Sequence, residues 1–352
     1  MRKYSVLIRL WTAIIAFAQG NLFAQDKQTD FTIVSYNVEN LFHPSNDPHT
    51  LDDDFTPNGV RRWTYARYRQ KLNQVSKAIA ACSNPLLPAL VGLVEVEDDS
   101  VLNDLTQTGV LRKAGYRYVR TQNPDRRGLN VALLYQRDRF RLLTHQSIHI
   151  ETLDTRDILH VSGELPTGDI LDIFVVHFPS RRMGTRATEP QRIQVASKLR
   201  ELIDSIQSTR TNPYILAMGD FNAHPKDRPL QILTTDNVAN TKIGNTTDHT
   251  TTTYGLKNLT ERISASKIGT YKWDGDWEII DHILVNNGLL DIDTSPLRIH
   301  ANDIKVGNFP FLMERDTSRA GLRPKRTYHG YTYQRNGTSD HLPLVLHTHL
   351  HN

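Results

Sequence analysis

The chain has 352 residues, of which 38 % are hydrophobic and 23 % charged, values that are ordinary for a soluble globular protein of one large domain or two smaller ones. Its single cysteine, Cys82, excludes an internal disulfide. Three of the positive charges behind the formal net charge of +4 lie in residues 1–24, so the remainder is near +1 and overall charge does not indicate a nucleic-acid partner.

Residues 1–24 have the pattern of a secretory signal peptide. Arg2 and Lys3 precede a mostly apolar run to Ala18, and Ala24 offers a second cleavage position. Every later apolar stretch is shorter than a membrane span requires. We therefore expect residues 25–352 to form a mature protein that is secreted or periplasmic and has no stable membrane association. A retained N-terminal anchor helix is the alternative.

The pattern from about residue 31 onward predicts one continuous domain with many strands and few helices. Short apolar segments predict strands over residues 31–37, 90–95, 131–136, 145–150, 158–164, 170–177, 214–220, 277–285 and 342–348. Apolar residues at three- and four-residue steps predict helices over 65–81 and 189–206, and 98–108 is a third candidate. Thr188 and Pro190 suit the start of the second helix. This composition indicates sheets packed together with helices on their outer faces.

Six of the predicted strands carry a metal-binding or proton-handling side chain near one end. These side chains are Asn37 and Glu39 in VSYNVENL, Glu95 in LVGLVEVED, His177 in IFVVHFPSRR, Asp220 and Asn222 in ILAMGDFNAHP, Asp281 in WEIIDHILV, and Asp340 and His341 in SDHLPLV. A buried carboxylate is costly unless it is paired or bound to a cation, so the set indicates one shared polar site. Oxygen ligands without cysteine favour Mg²⁺ or Mn²⁺, and the two histidines allow metal-assisted hydrolysis at an electrophile such as phosphorus.

In the same order along the chain, the stretches SYNVENLF, LVGLVEVE, VVHFPSRR, MGDFNAHP, WEIIDHILV and SDHLPLV resemble the endonuclease/exonuclease/phosphatase superfamily. That superfamily includes pancreatic-type deoxyribonucleases, exonuclease III-type repair nucleases, neutral sphingomyelinases and inositol polyphosphate 5-phosphatases. The resemblance covers residues 31 to about 347. It implies a four-layer α/β sandwich, in which two mostly antiparallel β-sheets pack face to face with helices on the outside.

The resemblance also implies a metal region. Glu95 is expected to be the principal ligand of a divalent cation, Mg²⁺ or Mn²⁺. Asn37 and Glu39 lie where the family places further groups of the metal shell, and Asp340 is expected to help hold the same region.

Five further residues are expected to act on the phosphate. Asp281 should orient His341, which acts as a base or contacts the phosphate. His177 should contact or protonate a phosphate oxygen. Asp220 should orient or deprotonate the attacking water, and Asn222 should hold a phosphoryl oxygen. Some nucleases of the family orient the histidine with an acid from the preceding strand. Asn130 stands there in this chain, which leaves the partner of His177 open.

Two basic loops bear on the substrate. Predicted substrate-binding residues are Arg181 beside His177, and Arg323, Lys325, Arg326 and Tyr328 shortly before Asp340. Basic residues interleaved with tyrosines can bind phosphate backbones and stack on bases, whereas the alternative is a solvated loop whose tyrosines pack on the domain. Arg127 either contacts phosphate or is a solvated loop residue.

Three functions are compatible with these residues. The first is an exported, Mg²⁺-dependent, monomeric endonuclease acting on DNA or RNA, with DNA expected as the partner. The second is a phosphatase or phosphodiesterase acting on small phosphorylated or lipid substrates. The third is a binding module that has lost catalysis, which would require the loss of a core site residue, and every one of them is present.

Overall fold

A computed structural model of the protein describes residues 30–243, 246–265, 267–291, 293–300 and 302–351, and the predicted signal peptide lies outside them. Four α-helices lie in this part of the chain: α1 Tyr65–Ala81, α2 Asp99–Thr106, α3 Thr185–Thr209 and α4 Arg228–Thr234. Short 3-10 helices cover Asp53–Phe55, Gly109–Lys113, Leu259–Arg262, Asn287–Leu290 and Pro310–Leu312. Each helix of the described ranges is too short or too polar to cross a bilayer.

The strands follow one another closely along the chain. The first eleven are β1 Ile33–Leu41, β2 Leu90–Val96, β3 Tyr116–Arg120, β4 Asn130–Gln136, β5 Arg141–Ile148, β6 Ile158–Glu164, β7 Ile170–His177, β8 Tyr214–Asp220, β9 Asn237–Ile243, β10 Thr246–Thr253 and β11 Lys257–Asn258. The others are β12 Tyr271–Trp273, β13 Asp276–Glu278, β14 Asp281–Val285, β15 Leu297–Arg298, β16 Ile304–Val306, β17 Met313–Arg315, β18 Leu322–Pro324, β19 Tyr328–His329, β20 Thr332–Tyr333, β21 Leu344–Leu346 and β22 His349–Leu350.

Two six-stranded sheets form the body of the protein. Their strand orders are β16-β21-β1-β2-β4-β3 and β11-β14-β8-β7-β6-β5. In each sheet one pair of neighbours is parallel, β1 with β2 and β7 with β8, and the other neighbours are antiparallel. The remaining strands form small two-stranded ribbons.

The inner faces of the two sheets share one hydrophobic core. In β7 the residues Leu171, Ile173 and Val175 belong to this core, whereas Phe174 and Val176 pack in a second core with apolar residues of α3. This is the two-residue alternation of a strand that is buried on both faces. The cluster continues through neighbouring residues on opposite faces of β1, such as Ile33 and Val34, to the apolar face of α1, while α3 packs in the second core. The predicted four-layer fold is confirmed.

Some predicted bounds were wrong. Helix α3 begins at Thr185, because Gly184 turns the chain there at a φ of 101°. Thr188 therefore lies inside the first turn, where its N–H donates to the Gly184 carbonyl at 3.1 Å, and Pro190 lies inside the helix. Strand β3 was not predicted, because it is an edge strand whose pattern is broken by the exposed Arg117.

Candidate active site

Three neighbouring strands of the second sheet place polar residues side by side. The register pairs His177 of β7 with Asp220 of β8, and Asp220 with Asp281 of β14. Alternate residues of these strands face the shared core. Met218, two residues before Asp220 in β8, and Ile283, two residues after Asp281 in β14, belong to that core, so Asp220 and Asp281 lie on the same face. All three are buried. The sheet register therefore delivers one imidazole and two carboxylates to the same end of the core.

His341 reaches this row from the segment before β21. Its backbone forms an isolated antiparallel bridge with Tyr271, and its N–H donates to Ser339 Oγ at 3.0 Å. Its Nδ1 lies 2.8 Å from Asp281 Oδ2, and its Nε2 lies 3.8 Å from Asp220 Oδ2. Asp281 thus accepts a hydrogen bond from Nδ1 and turns Nε2 toward Asp220.

Asp220 is contacted on both carboxylate oxygens. Its Oδ2 accepts from Asn37 Nδ2 at 3.1 Å and lies 3.6 Å from His177 Nε2, while its Oδ1 accepts from the Asn222 N–H at 2.8 Å. The Asn222 side chain donates to the Phe178 carbonyl at 3.1 Å and is buried. These contacts bring together Asn37 and all five residues that were expected to act on the phosphate.

Irregular backbone at the ends of β1 and β2 aims Glu39 and Glu95. The pairing of the two strands shifts register there, and Glu39, Asn40 and Glu95 have φ angles of 52°, 49° and 65°. The Asn40 N–H donates to Glu95 Oε2 at 2.8 Å, and Glu95 Oε1 lies 4.0 Å from His177 Nε2. Such bulges re-aim side chains, and left-handed backbone at residues other than glycine is uncommon outside functional sites.

The buried charges give the two histidines different protonation states. Burial opposes protonation of His341, but Asp281 and then Asp220 outweigh it and raise the pKa of His341 to about 10. Burial, and after it Asp281, raises the pKa of Asp220 to about 7. Burial and nearby arginines hold the pKa of His177 well below its ordinary value. These shifts favour the protonated form of His341 and the neutral form of His177 at neutral pH.

His177 Nδ1 has no hydrogen-bond partner among the described residues, although it is buried. Asn130 occupies the position where an orienting acid could occur, but its side chain has other hydrogen-bond partners. Its side chain accepts from Thr121 Oγ1 at 2.9 Å and donates to the Glu97 carbonyl at 2.5 Å. Asn130 therefore does not orient His177.

The site fits a divalent cation. Asp220, Asp281 and His341 present ligand atoms that all lie within 4.8 Å of one another. Asp281 Oδ1 is buried and finds no hydrogen-bond partner in the described part of the chain, so it has a free lone pair beside the other two groups. Buried carboxylate oxygens without thiolates suit Mg²⁺ or Mn²⁺.

Glu95 offers a second, neighbouring ligand. Its Oε1 lies 4.0 Å from Arg127 Nη2 and 4.0 Å from His177 Nε2, distances that leave this oxygen outside hydrogen-bond range of both. The Glu95 side chain is 14 % exposed, so part of it is open to solvent. His177 Nε2 is near both groups, at 4.0 Å from Glu95 Oε1 and 3.6 Å from Asp220 Oδ2 of the Asp220–Asp281–His341 cluster.

Two predicted members of the metal region are engaged by protein cations. Glu39 Oε2 accepts from the Thr327 N–H at 2.7 Å and lies 3.9 Å from Lys71 Nζ. Burial, and after it Asp340, raises the pKa of Glu39 to about 7. Asp340 Oδ2 lies 3.6 Å from Arg326 Nη2. Both acids border the site, and their role as metal ligands stays a prediction.

Four of the predicted substrate-binding residues contact other groups of the protein, and Arg326, 3.6 Å from Asp340 Oδ2, is one of them. Arg181 forms an ion pair with Glu278 and contacts His224 at 3.1 Å. Arg323 lies 2.8 Å from Glu314 Oε1 and 3.4 Å from Asp316 Oδ1. Tyr328 is buried, and its hydroxyl donates to the Arg61 carbonyl at 3.0 Å. Tyr328 packs on the domain, as the alternative expects, while Arg323, Lys325 and Arg326 are partly exposed, and the substrate-binding roles stay predictions.

Sequence reasoning missed Lys71, Arg156 and Tyr271. Lys71 and Arg156 are both buried, and the Tyr271 ring lies 4.9 Å from the His341 ring. Arg156 Nη2 donates to Asp125 Oδ2 at 2.6 Å, and Arg127 Nη2 donates to the same oxygen at 2.9 Å. Of these two arginines, only Arg127, in the RRGLN stretch, was considered as a phosphate contact from the sequence. A lysine on an amphipathic helix gives no signal of burial.

Comparison with known proteins agrees with this geometry. A model of the Endonuclease/Exonuclease/phosphatase family matches residues 32–350. No curated protein matches significantly. A family protein from Bacteroides thetaiotaomicron is 15 % identical and aligns over 92 % of this chain and 99 % of its own, with a TM-score of 0.54.

Structures of TDP2 show the same fold. Humanized D. rerio TDP2 is 14 % identical and aligns over 91 % of this chain and 98 % of its own, with a TM-score of 0.54. D. rerio TDP2 complexed with a single-strand DNA product is 13 % identical over the same shares of the two chains, with a TM-score of 0.52. At these identities the likeness shows the fold alone.

Proposed function

Since the chain belongs to the endonuclease/exonuclease/phosphatase family, whose members hydrolyse phosphoric esters, we propose that it is an exported, divalent-metal-dependent endonuclease that cleaves phosphodiester bonds of DNA. The observation that carries the proposal is the convergence of Asp220, His341 and His177. Their facing atoms, Asp220 Oδ2 with the two imidazole Nε2 atoms, lie 3.8 and 3.6 Å apart.

Each residue has a chemical role in hydrolysis. Asp220 orients the attacking water and takes its proton, because its raised pKa of about 7 makes it a better base than an ordinary carboxylate. Protonated His341, held by Asp281, stabilises the negative charge that develops on the phosphoryl oxygens. Neutral His177 binds a phosphoryl oxygen through its one N–H group.

A divalent cation, held by Glu95 or by the Asp220 and Asp281 carboxylates beside protonated His341, would supply Lewis-acid stabilisation of the phosphoryl oxygens. The protein's own residues exclude bulk water from the reacting centre. Asp220, Asp281 and His341 are each no more than 5 % exposed, so electrostatic interactions with a bound phosphate are strong there.

Aromatic residues beside the site support a nucleic-acid substrate. Tyr271 lies against His341, and Trp273, two residues further along β12, is 63 % exposed. Alternate residues of a strand point to the same side, so Trp273 offers a surface on which a base next to the scissile phosphate can stack. The fold shared with TDP2, which was crystallised with a single-strand DNA product, supports the same substrate class.

Lys325 and Arg326 are the basic residues best placed to bind the polynucleotide backbone, since Arg326 borders Asp340 and both are partly exposed. We expect Lys325→Ala/Arg326→Ala to raise KM for oligonucleotide cleavage about tenfold and to affect bis-p-nitrophenyl phosphate less, because the small ester lacks flanking phosphates. Steady-state kinetics at two salt concentrations measures the difference. Arg323→Ala is the matched control, because Arg323 is tied to Glu314 and Asp316. Equal losses on both substrates would refute a backbone-binding role.

Export is tested by expressing the full chain in a bacterium and measuring the mass of the fractionated product. We expect a protein outside the cytoplasm whose mass corresponds to cleavage after Ala18 or Ala24. A full-length product in the membrane fraction would instead establish the anchor-helix alternative.

A further inference from the structure

Lys71 of α1 is one of the least exposed polar side chains near the site, at 1 %. Its Nζ donates to the Glu39 carbonyl at 2.9 Å and also to Thr327 Oγ1 and the Thr338 carbonyl. The same atom lies 3.9 Å from Glu39 Oε2. Burying an ammonium is costly unless it is paired and fully hydrogen-bonded, and these four contacts meet that condition.

The acceptors of Lys71 belong to three separate segments, and each segment carries a residue of the site. Glu39 is followed by Asn40, whose N–H holds Glu95. Thr327 is preceded by Arg326, which faces Asp340. Thr338 leads directly to the turn that presents His341.

Further contacts join the same segments. Ser339 Oγ donates to the Asn37 carbonyl at 2.6 Å, and the Thr338 N–H donates to the Lys325 carbonyl at 2.6 Å. Among the side chains on the helices that the structure describes, Lys71 alone forms hydrogen bonds with all three segments. Its ammonium therefore contacts all three segments at once.

We propose that Lys71 is a positioning residue for phosphoester hydrolysis, and that it fixes the segments carrying Glu39, Arg326 and His341 relative to one another. This inference rests on the proposed function. Helix α1 is already anchored by buried apolar residues such as Leu72 and Val75, so an apolar residue at position 71 could also serve packing. An ammonium adds directional hydrogen bonds, and small errors in the position of catalytic groups cost large factors in rate.

The test compares Lys71→Met with Val75→Ala, a change on the same buried face of α1 at a residue that is not part of the candidate site. We expect both variants to lower the melting temperature, because each disturbs the packing of α1. We expect Lys71→Met to lower kcat for bis-p-nitrophenyl phosphate at least about tenfold with little change in KM, and Val75→Ala to leave kcat within about twofold. Equal kcat for the two variants at matched stability would overturn the proposal.

A second pair of variants applies if Lys71→Met does not fold. Thr327→Val removes one acceptor of Lys71 and keeps the side-chain volume, whereas Thr327→Ser keeps the hydroxyl. We expect Thr327→Val to lower kcat and Thr327→Ser to restore most of it. The reverse order, or no difference between the two, would show that the hydroxyl contact does not position the site.

A spectroscopic readout separates failure of this inference from failure of the proposed function. The imidazole proton between His341 Nδ1 and Asp281 should give a low-field proton NMR signal, identified by its loss in His341→Gln. If the wild-type protein hydrolyses no phosphoester, the proposed function fails and this signal still tests Lys71. We expect the signal to shift or broaden in Lys71→Met and to persist in Val75→Ala. An unchanged signal in Lys71→Met would overturn the positioning role.

Discussion

His341→Ala is expected to lower kcat for a phosphodiester by roughly three orders of magnitude, a loss typical of removing a charged group that acts in the transition state. The imidazolium is held by Asp281 at 2.8 Å and faces Asp220, and no other cation of the described residues contacts both carboxylates. Asp220→Asn should have an effect of the same order, because the amide keeps the shape of the carboxylate and loses its basicity. Single-turnover kinetics on a labelled oligonucleotide measures both changes.

His282→Gln provides a control at a buried histidine that follows Asp281 in β14. His282 points away from the site, where its Nε2 meets the Ala223 carbonyl at 2.9 Å and its Nδ1 meets Thr260 Oγ1 at 2.8 Å. This variant should lose stability and keep kcat. His341→Ala leaves the buried Asp281 carboxylate without its partner, so its folding must be verified by circular dichroism at the assay temperature. Near-normal turnover in folded His341→Ala would remove this residue from the mechanism.

The second large effect is expected at Glu95. Glu95→Gln keeps the size of the side chain and the acceptor for the Asn40 N–H, but removes the negative charge that attracts a cation. We expect the Mg²⁺ concentration for half-maximal activity to rise by about 10- to 100-fold. Titration of activity with Mg²⁺, and calorimetric titration with Mn²⁺ in the absence of substrate, measure the change.

Glu97→Gln is the matched control, because Glu97 lies two residues further on and accepts from the His43 N–H at 2.5 Å, apart from the site. Its metal titration should be normal. If Glu95→Gln titrates normally and Asp281→Asn does not, the cation is held by the Asp220–Asp281–His341 cluster and the role predicted for Glu95 is wrong.

The convergence of polar strand ends was predictable from the sequence, because a strand's period of two places residues such as His177 and Asp220 on the face that its apolar neighbours bury. The parallel pairing of β7 and β8 then brings these two residues side by side, in a register that buries the apolar residues of both strands. The pattern of strands and helices predicted packed sheets with helices outside, whereas the four-layer sandwich was predicted from the resemblance to the family.

Contacts made across the fold were not predictable in this way. Arg323 and Tyr328 occupy a basic, aromatic segment that is typical of nucleic-acid binding, yet acids and carbonyls far from them in sequence engage both side chains. Lys71 has the spacing of the buried face of α1, but lysine is almost always solvated on such helices. Its burial depends on Glu39, Thr327 and Thr338, which only the tertiary structure brings together.

Metal-dependent nicking of supercoiled plasmid by purified residues 25–352 is the most direct test of the proposed function. Reactions contain Mg²⁺, Mn²⁺ or EDTA, and parallel reactions replace the plasmid with bis-p-nitrophenyl phosphate or a panel of phosphomonoesters. We predict nicking with Mg²⁺ or Mn²⁺ that EDTA abolishes and that His341→Ala lacks. An intact plasmid together with phosphate release from the monoesters would contradict the endonuclease assignment and identify the protein as a phosphatase of the same family.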